Sequence, residues 1–211
     1  MANPRKTAVF GLGSMGYGIA ASCLKGGHAT FGFDVNPAQV EKFRAEGGQT
    51  GEMAQIAPEL DVVLVVVLNA QQTDSVLFGA NGVVPMLPSG AVVVACATVP
   101  PDFAREMAEK CAAKGVHYLD APISGGSLKA ASGQLSIMAS GASEAFDAAR
   151  PVLDSISETV FDLGSSAGAG SAMKAVNQLL AGVDLATMAE ALTFGMKHGV
   201  TPDKFLEVIS N

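Results

Sequence analysis

The sequence has few cysteines, and they form no pattern that would bind a metal or pair into a disulfide framework. Three occur among the 211 residues, at Cys23, Cys96 and Cys111, outside any CxxC motif or Cys/His cluster. An odd, scattered set of cysteines is typical of a reducing compartment. We therefore predict three small buried residues and a cytoplasmic protein. The three histidines have no ligand spacing, so no metal site is expected.

Long apolar runs and clusters of positive charge are also missing. The longest apolar runs, residues 62–68 and 91–97, are far shorter than the ~20 residues of a membrane helix. The first residues carry too few apolar side chains for a secretory signal. Lys and Arg number 13 against 20 Asp and Glu, a net charge of -7, and no basic run stands out. Neither a membrane nor nucleic acid is an expected partner.

What the sequence does contain is a large apolar fraction, 49%, arranged in two alternating periods. Strands are predicted at residues 7–11, 28–34, 62–68, 91–98, 116–123, 135–140 and 158–163, and helices at 14–25, 37–46, 101–114 and 143–157. The central runs lack polar alternation, as in strands covered on both faces. This order predicts an α/β fold with a Rossmann-type, doubly wound, mainly parallel sheet.

The pattern changes after Gly164. Residues 168–197 contain no proline and predict a single helix of about 30 residues, or ~45 Å. Its apolar residues surround most of the circumference, so we expect it to be buried nearly all round. Gly199 is predicted to end this helix, and Thr201 and Pro202 to begin a short one. We place the sheet domain at residues 1–164 and the beginning of an all-α domain at 165–211.

A glycine motif follows the first predicted strand. The segment GLGSMG comprises Gly11, Leu12, Gly13, Ser14, Met15 and Gly16 and opens a helix. There, glycines allow a tight turn and close approach of a pyrophosphate, and the helix start supplies amide groups. Asp34 ends the next strand, near the expected position of a ribose-binding carboxylate. These seven residues predict a dinucleotide site. The alternatives are a structural glycine turn and a helix-capping Asp34.

Asp34 also bears on which dinucleotide is bound. Its carboxylate would accept a hydrogen bond from a ribose 2′-hydroxyl and would repel a 2′-phosphate. Val35, Asn36 and Pro37 follow, and none is an arginine that would hold that phosphate. NAD is therefore favoured, and NADP is the less favoured cofactor.

A second glycine motif and a lysine are further candidates for chemistry. Ser124, Gly125 and Gly126 follow a predicted strand and can present a hydroxyl and open backbone to a carboxylate, or they can form an ordinary loop. Lys174 and Asn177 lie three residues apart and share a helix face. The lysine either reaches solvent or is held in a site. Spacing alone leaves both questions open.

Three ordered motifs together resemble the β-hydroxyacid dehydrogenase family. They are GLGSMG at 11–16, DAPISGGSLKAASGQL at 120–135 and GAGSAMKAVNQ at 168–178, and the resemblance extends from about residue 7 to the end. The pattern is most similar to the L-threonate dehydrogenase branch. The resemblance implies an NAD-dependent oxidoreductase that transfers a hydride between nicotinamide and a small hydroxy acid or oxo acid, of the 3-hydroxyisobutyrate or L-threonate type.

The resemblance also implies roles for single residues. Lys174 would be the catalytic acid and base. Ser124, Gly125 and Gly126 would hold the substrate carboxylate, and Asn177 would orient the substrate. Cofactor contacts are expected at Leu68 and at Thr98, the latter near the nicotinamide ribose. The implied assembly is a homo-dimer or homo-tetramer built through the helical domain.

This sequence departs from the family in two respects. Gln178 stands where the family often has a second asparagine, which affects substrate positioning. The family also continues through further helices that carry another cofactor-contacting lysine, so the domain at 165–211 is expected to be truncated.

Two alternative functions remain open at this level. Imine reductases have a similar first domain, but they generally lack a lysine at the position of Lys174. A non-catalytic module that senses NAD or NADH would need neither the Ser-Gly-Gly motif nor that lysine.

Overall fold

The computed structural model describes residues 4–210, which divide into two compact units after Lys174. The first unit contains both sheets and also the first turn of the long helix, through Lys174. The division therefore falls ten residues later in the chain than the boundary expected from the change of sequence pattern at 164/165. That boundary, as a division between functional domains, stays a prediction.

The first sheet is fully parallel. Its strands are β1 (Lys6–Phe10), β2 (Ala29–Phe33), β3 (Val62–Val65), β4 (Val92–Ala95) and β5 (His117–Asp120). Their order is β2-β1-β3-β4-β5, so the chain reverses direction across the sheet between β1 and β3. In such sheets, ligands bind beyond the carboxyl ends of the strands at this reversal. The glycine motif, which follows β1, and Asp34, which follows β2, both lie at that edge.

A second sheet has three strands, β6 (Ile123–Ser124), β7 (Leu135–Ala139) and β8 (Ser157–Asp162). β6 pairs with β7 antiparallel, and β7 pairs with β8 parallel. The prediction of one strand over 116–123 was wrong, because the segment breaks after Asp120 and its two halves belong to different sheets. Pro122 lies at the break, where its missing N–H and fixed φ disfavour continued pairing.

Helices cover both faces of the parallel sheet. They are α1 (Gly16–Lys25), α2 (Pro37–Ala45), α3 (Met53–Ile56), α4 (Ala70–Phe78), α5 (Pro101–Ala112), α6 (Gly126–Ser132) and α7 (Ser143–Ile156), with 3-10 turns at Ala57–Glu59 and Val84–Met86. Strand residues alternate between two cores. Val62 and Leu64 pack into one cluster, and Val63 and Val65 pack into the other. A strand buried on both faces needs no polar alternation, which explains the continuous apolar runs.

The second unit holds the rest of α8 (Ala169–Lys197) and α9 (Pro202–Ile209). As predicted, Gly199 follows α8 with a positive φ of 87°, and Thr201 caps α9 by accepting from Lys204 N. Only three residues of α8 are buried, Gly170, Ser171 and Lys174. The expectation of burial nearly all round is therefore not met by the residues described.

α8 also bears on the membrane question. It spans 29 residues, and one 18-residue window has a mean hydropathy of 1.3, enough to cross a membrane by length and composition. Glycines and polar residues interrupt its apolar residues, so the helix contains no long uninterrupted apolar run. The same composition is typical of a helix that packs against protein on several faces. The expectation of no membrane partner therefore stays a prediction.

Candidate active site

The glycine loop between β1 and α1 has the shape that a bound pyrophosphate requires. Gly11 has φ of 94°, and a Cβ there would lie 2.2 Å from Val66 O. A Cβ on Gly16 would lie 1.8 Å from Gly11 O, because the helix start is pressed against the loop. Around Gly13, however, a Cβ would meet nothing within 4 Å. Its backbone therefore faces open space that a phosphate group can approach.

The first turn of α1 completes this cradle. Among the described residues, no side chain caps the helix at Met15. The first amide groups of a helix have no partner within it, and together they carry a partial positive charge. An anion beside Gly13 would accept hydrogen bonds from these amides and would be attracted by the partial positive charge. The residues present therefore fit the pyrophosphate of a dinucleotide.

Asp34 is held by two backbone amides at the carboxyl end of β2. Leu12 N donates to Oδ2 at 2.6 Å, and Asn36 N donates to Oδ1 at 2.7 Å. The first bond joins Asp34 to the glycine loop itself. The cap of α2 is Asn36, whose side chain accepts from Ala38 N, so Asp34 does not serve as that cap. Each carboxylate oxygen retains a lone pair for a ligand hydroxyl.

A cavity of about 560 Å³ opens beside this carboxylate, within the first unit. Four of the predicted cofactor residues line it: Gly11, Gly13, Asp34 and Leu68. The rest of the lining is mainly apolar, with several valines, and it includes no lysine or arginine among the described residues. Apolar walls with one fixed carboxylate suit an adenosine, which has a flat base and a hydroxyl-bearing ribose.

The Ser-Gly-Gly segment lies between β6 and α6. Gly125 and Gly126 have φ values of 131° and 76°, a pair of consecutive conformations that favour glycine. Both are exposed, and a Cβ on Gly126 would meet nothing within 4 Å. Ser124 is half-buried beside them. The backbone here is therefore open to a ligand.

Lys174 comes to this same segment from far along the chain. Its Nζ donates to Ile123 O at 2.8 Å, across a separation of 51 residues, and its side chain is buried. The structure thus places Lys174 next to Ser124 and removes the alternative in which the lysine reaches solvent. Burial lowers the pKa of Lys174 below its ordinary value. A buried amine of lowered pKa beside an open loop can accept or donate a proton there.

Direct helix packing joins the two loops. A Cβ on Gly18 of α1 would lie 2.7 Å from Ala131 N of α6, so the two helices touch at that point. Ser22 Oγ donates to Ala130 O at 2.8 Å across the same contact. α1 follows the dinucleotide loop and α6 follows the Ser-Gly-Gly segment. The two loops are therefore held on helices that pack directly against each other.

For the other predicted site residues, the structure gives a position but no contact with a cofactor or substrate. Ser14 and Met15 form the turn before α1, and Thr98 is exposed beyond the carboxyl end of β4. Asn177 lies on α8 three residues after Lys174, in the second unit. Their contacts with cofactor or substrate stay predictions.

The sequence reasoning missed Asp120, the last residue of β5. It is fully buried and accepts hydrogen bonds from the residues that begin α8. The aspartate opens the DAPISGG segment, yet its partners lie 48 and 51 residues later. No local spacing could reveal a helix cap that is formed from so far along the chain.

Comparison with known proteins identifies the family. Residues 6–164 match the family described as the NAD binding domain of 6-phosphogluconate dehydrogenase. Residues 168–211 match the family described as NAD-binding of NADP-dependent 3-hydroxyisobutyrate dehydrogenase. The chain is also 45% identical over 208 residues to an L-threonate dehydrogenase of Cupriavidus necator, covering 98% of this chain and 70% of that protein. The chain belongs to the β-hydroxyacid dehydrogenase family. This dehydrogenase thus matches NAD-binding family models over residues 6–164 and 168–211.

Solved structures agree on the fold. A 3-hydroxyisobutyrate dehydrogenase from Salmonella typhimurium superposes with a TM-score of 0.89 at 38% identity, covering 98% of this chain and 72% of that one. The predicted fold class and enzyme class are confirmed. An imine reductase variant from Myxococcus stipitatus superposes with a TM-score of 0.87 at 21% identity, covering 99% and 72% of the two chains. It shares the fold alone.

Proposed function

We propose that this dehydrogenase transfers a hydride between a nicotinamide dinucleotide and a small hydroxy acid of the L-threonate or 3-hydroxyisobutyrate type, with Lys174 as general acid and base. The observation that carries the proposal is the 2.8 Å hydrogen bond from Lys174 Nζ to Ile123 O, beside Ser124. The names of its relatives support the substrate class, since they include an L-threonate dehydrogenase and a 3-hydroxyisobutyrate dehydrogenase.

The proton chemistry follows from the state of Lys174. When bound, the dinucleotide accepts a hydride at its nicotinamide ring, or returns it. Oxidation of the alcohol also requires removal of its hydroxyl proton, for which Lys174 must be neutral. Burial favours that neutral amine, because it removes water from around the charged form. In the opposite direction the Lys174 ammonium donates a proton to the carbonyl oxygen.

Substrate orientation is assigned to the neighbouring loop. The Ser124 hydroxyl and the open backbone at Gly125 and Gly126 would hold the carboxylate. This places the carboxylate close to Lys174, and the reacting hydroxyl would face Nζ. A local binding site of this kind is needed because the molecule as a whole carries a net charge of -7. The resemblance to the family assigns orientation of the substrate to Asn177 as well.

NAD is the proposed cofactor. Asp34 is fixed by Leu12 N and Asn36 N, so it cannot turn away from a 2′-phosphate without losing both bonds. No basic residue lines the cavity beside it among the described residues. The family descriptions name both NAD and NADP, so the preference rests on this carboxylate.

Two further proposals concern the oligomeric state and the cellular location of the enzyme. We propose a homo-dimer or homo-tetramer with α8 at or near the interface. Its exposed apolar residues include Leu179, Leu180, Val183, Leu185, Met188 and Phe194. So many exposed large apolar side chains on one helix are uncommon on a soluble monomer. We also propose a cytoplasmic location, since the three cysteines are buried and unpaired.

The test is a substrate panel followed by absorbance of the reduced cofactor. C3 and C4 hydroxy acids are offered with NAD and with NADP, and the corresponding oxo acids with the reduced forms. The proposal expects turnover with at least one hydroxy acid and a higher kcat/KM with NAD. Oxidation of NADPH with cyclic imines, and none with oxo acids, would favour an imine reductase instead. Cofactor binding without turnover of any acid would favour a sensing module.

A further inference from the structure

Asp120 is a buried carboxylate that the proposed reaction does not use. It ends β5, and no part of its side chain is exposed. Oδ2 accepts from Gly168 N at 2.9 Å, from Ser171 N at 2.8 Å and from Ser140 Oγ at 3.3 Å. Oδ1 accepts from Ser171 Oγ at 2.6 Å. Four donors from three positions therefore converge on this one side chain.

These bonds cap the start of α8 from outside the helix. The residue before the helix is Gly168, which has φ of 105° and no side chain with which to cap. The amides at its entrance are satisfied by other segments instead, Gly168 N and Ser171 N by Asp120 and Gly170 N by Ser140 Oγ. The positive end of the helix in turn favours a carboxylate at this point.

The cap also fixes where Lys174 lies. Ser171 and Lys174 are three residues apart, so they share the buried face of α8. Asp120 holds Ser171, and Ile123 O, three residues after Asp120, accepts from Lys174 Nζ. The segment 120–123 therefore contacts α8 at two points along one face. Two attachments restrict both sliding and rotation of the helix start, which a single one would not.

The backbone of Asp120 is equally constrained. Its N–H donates to Ser140 O at 3.0 Å, and its C=O accepts from Ser140 N at 2.8 Å. A Cβ on Gly170 would lie 2.7 Å from Asp120 O and 2.4 Å from Met138 O. The helix start is thus packed against the ends of β5 and β7, so Asp120 and the first turn of α8 are held in direct contact.

We propose that Asp120 is a positioning residue for Lys174, because its carboxylate caps α8 in the register that brings Nζ to Ile123 O beside Ser124. The inference rests on the proposed function, in which Lys174 is the acid and base. Asp120 acts through the helix and does not touch the reacting atoms.

Two variants loosen the cap to different extents. Asp120→Asn keeps one oxygen that can accept from the Gly168 and Ser171 amides. It replaces the other oxygen with an NH₂ group, which cannot accept from Ser171 Oγ, and it removes the negative charge of the carboxylate. Ser171→Ala removes only the 2.6 Å bond and keeps the carboxylate. Ser155→Ala is the matched control. It also removes a helical serine hydroxyl, one on α7 that lies 3.2 Å from Pro151 O and 3.0 Å from His28 Nε2.

The first readout does not depend on activity. An acylating reagent labels neutral, accessible amines, and mass spectrometry gives its rate at each lysine. The rates are compared on the plateau reached at high pH, where the amine is neutral in every variant and the rate reports accessibility alone. On that plateau, labelling of Lys174 is expected to rise by about tenfold in Asp120→Asn, equivalent to about 1.4 kcal/mol, and by less in Ser171→Ala. It should stay at the wild-type rate in Ser155→Ala. An unchanged Lys174 rate in both cap variants would overturn the proposal. If Asp120→Asn does not fold, Ser171→Ala decides the question alone.

The second readout is the pH dependence of hydroxy-acid oxidation. A Lys174 that is released from burial regains a higher pKa, so the ascending limb of kcat/KM moves to higher pH in the cap variants. A merely structural role would lower the rate without moving this limb, and that result also overturns the proposal. Lys174→Ala is assayed alongside. If it retains turnover, the proposed function fails. If it is inactive while both cap variants match the wild type, only the positioning role fails.

Discussion

The glycine loop offers a matched pair of substitutions that separate folding from cofactor binding. Gly13→Ala and Gly16→Ala add the same methyl group three residues apart. At Gly13 it enters open space, whereas at Gly16 it would lie 1.8 Å from Gly11 O. Gly13 also has no positive φ, so alanine is compatible with its backbone. We therefore expect Gly13→Ala to fold normally and Gly16→Ala to be destabilised.

The magnitudes follow from these two environments. A Gly→Ala change at a compatible position adds about 0.4–1 kcal/mol of stability by restricting the unfolded chain. Overpacking costs about 1–3 kcal/mol, and occasionally more. The 1.8 Å contact is with backbone, which cannot turn aside as a flexible side chain does. The loss of stability in Gly16→Ala should therefore lie at or beyond the upper end of that range.

Urea denaturation gives the stabilities, and quenching or enhancement of NADH fluorescence gives binding. Gly13→Ala should keep or raise the wild-type urea midpoint and bind NADH at least about tenfold more weakly, since its methyl occupies the space predicted for the pyrophosphate. If it bound NADH as the wild type does, the backbone at Gly13 would not be where the phosphates approach. If Gly16→Ala had the wild-type midpoint, the packing argument would be wrong.

Three other results are expected. His28 is buried and accepts a hydrogen bond from Arg5 N, and burial lowers the pKa of its imidazole. The neutral imidazole therefore contributes its full stability above about pH 6.5, the ordinary pKa of histidine. That contribution is lost as the pH falls through the lowered pKa of the folded state. Urea midpoints should therefore depend less on pH in His28→Gln, and an equal dependence in both proteins would contradict this. Asp34→Ala should weaken NAD binding and relieve repulsion of the 2′-phosphate of NADP, so the ratio of kcat/KM for NAD to that for NADP should fall. A wild-type enzyme with higher kcat/KM for NADP would refute the assignment of NAD as the cofactor. Light scattering at micromolar concentration should show a dimer or tetramer. A monomer would defeat that proposal, and binding to lipid vesicles would point to a membrane role for α8.

Most of the sheet was predictable because a strand buried on both faces leaves a continuous apolar run. β3 and β4 lie within the predicted runs at 62–68 and 91–98. α4 was not predicted, because the sequence AQQTDSVLF buries only Thr73 and Leu77 and shows little apolar periodicity. The prediction of one strand over 116–123 was wrong for a different reason. Local propensity continues through it, and only tertiary pairing divides it between two sheets.

The candidate site divides in the same way. Its glycines could be found from sequence because close approach and positive φ demand that residue type locally, as at Gly11 and Gly125. The contact between Lys174 and Ile123 could not be derived from spacing, since it joins elements 51 residues apart. Resemblance to a family implied only that Lys174 and Ser124 act on the same substrate, and it predicted no contact with Ile123. Asp120 begins one of the family motifs, but no role was implied for it, because its function as a cap exists only after α8 has folded against it.

In the proposed reaction Lys174 moves the hydroxyl proton, and the glycine loop and Asp34 hold the dinucleotide that exchanges the hydride. The most direct measurement is single-turnover reduction of NAD by the preferred hydroxy acid in Lys174→Ala, with NADH binding measured on the same protein. Lys114→Ala, which alters an exposed lysine just beyond α5, is the control. We expect a rate lower by about 10²–10⁴-fold in Lys174→Ala, with NADH affinity and the control rate close to wild type. Reduction of NAD at a near-normal rate by Lys174→Ala would contradict the account.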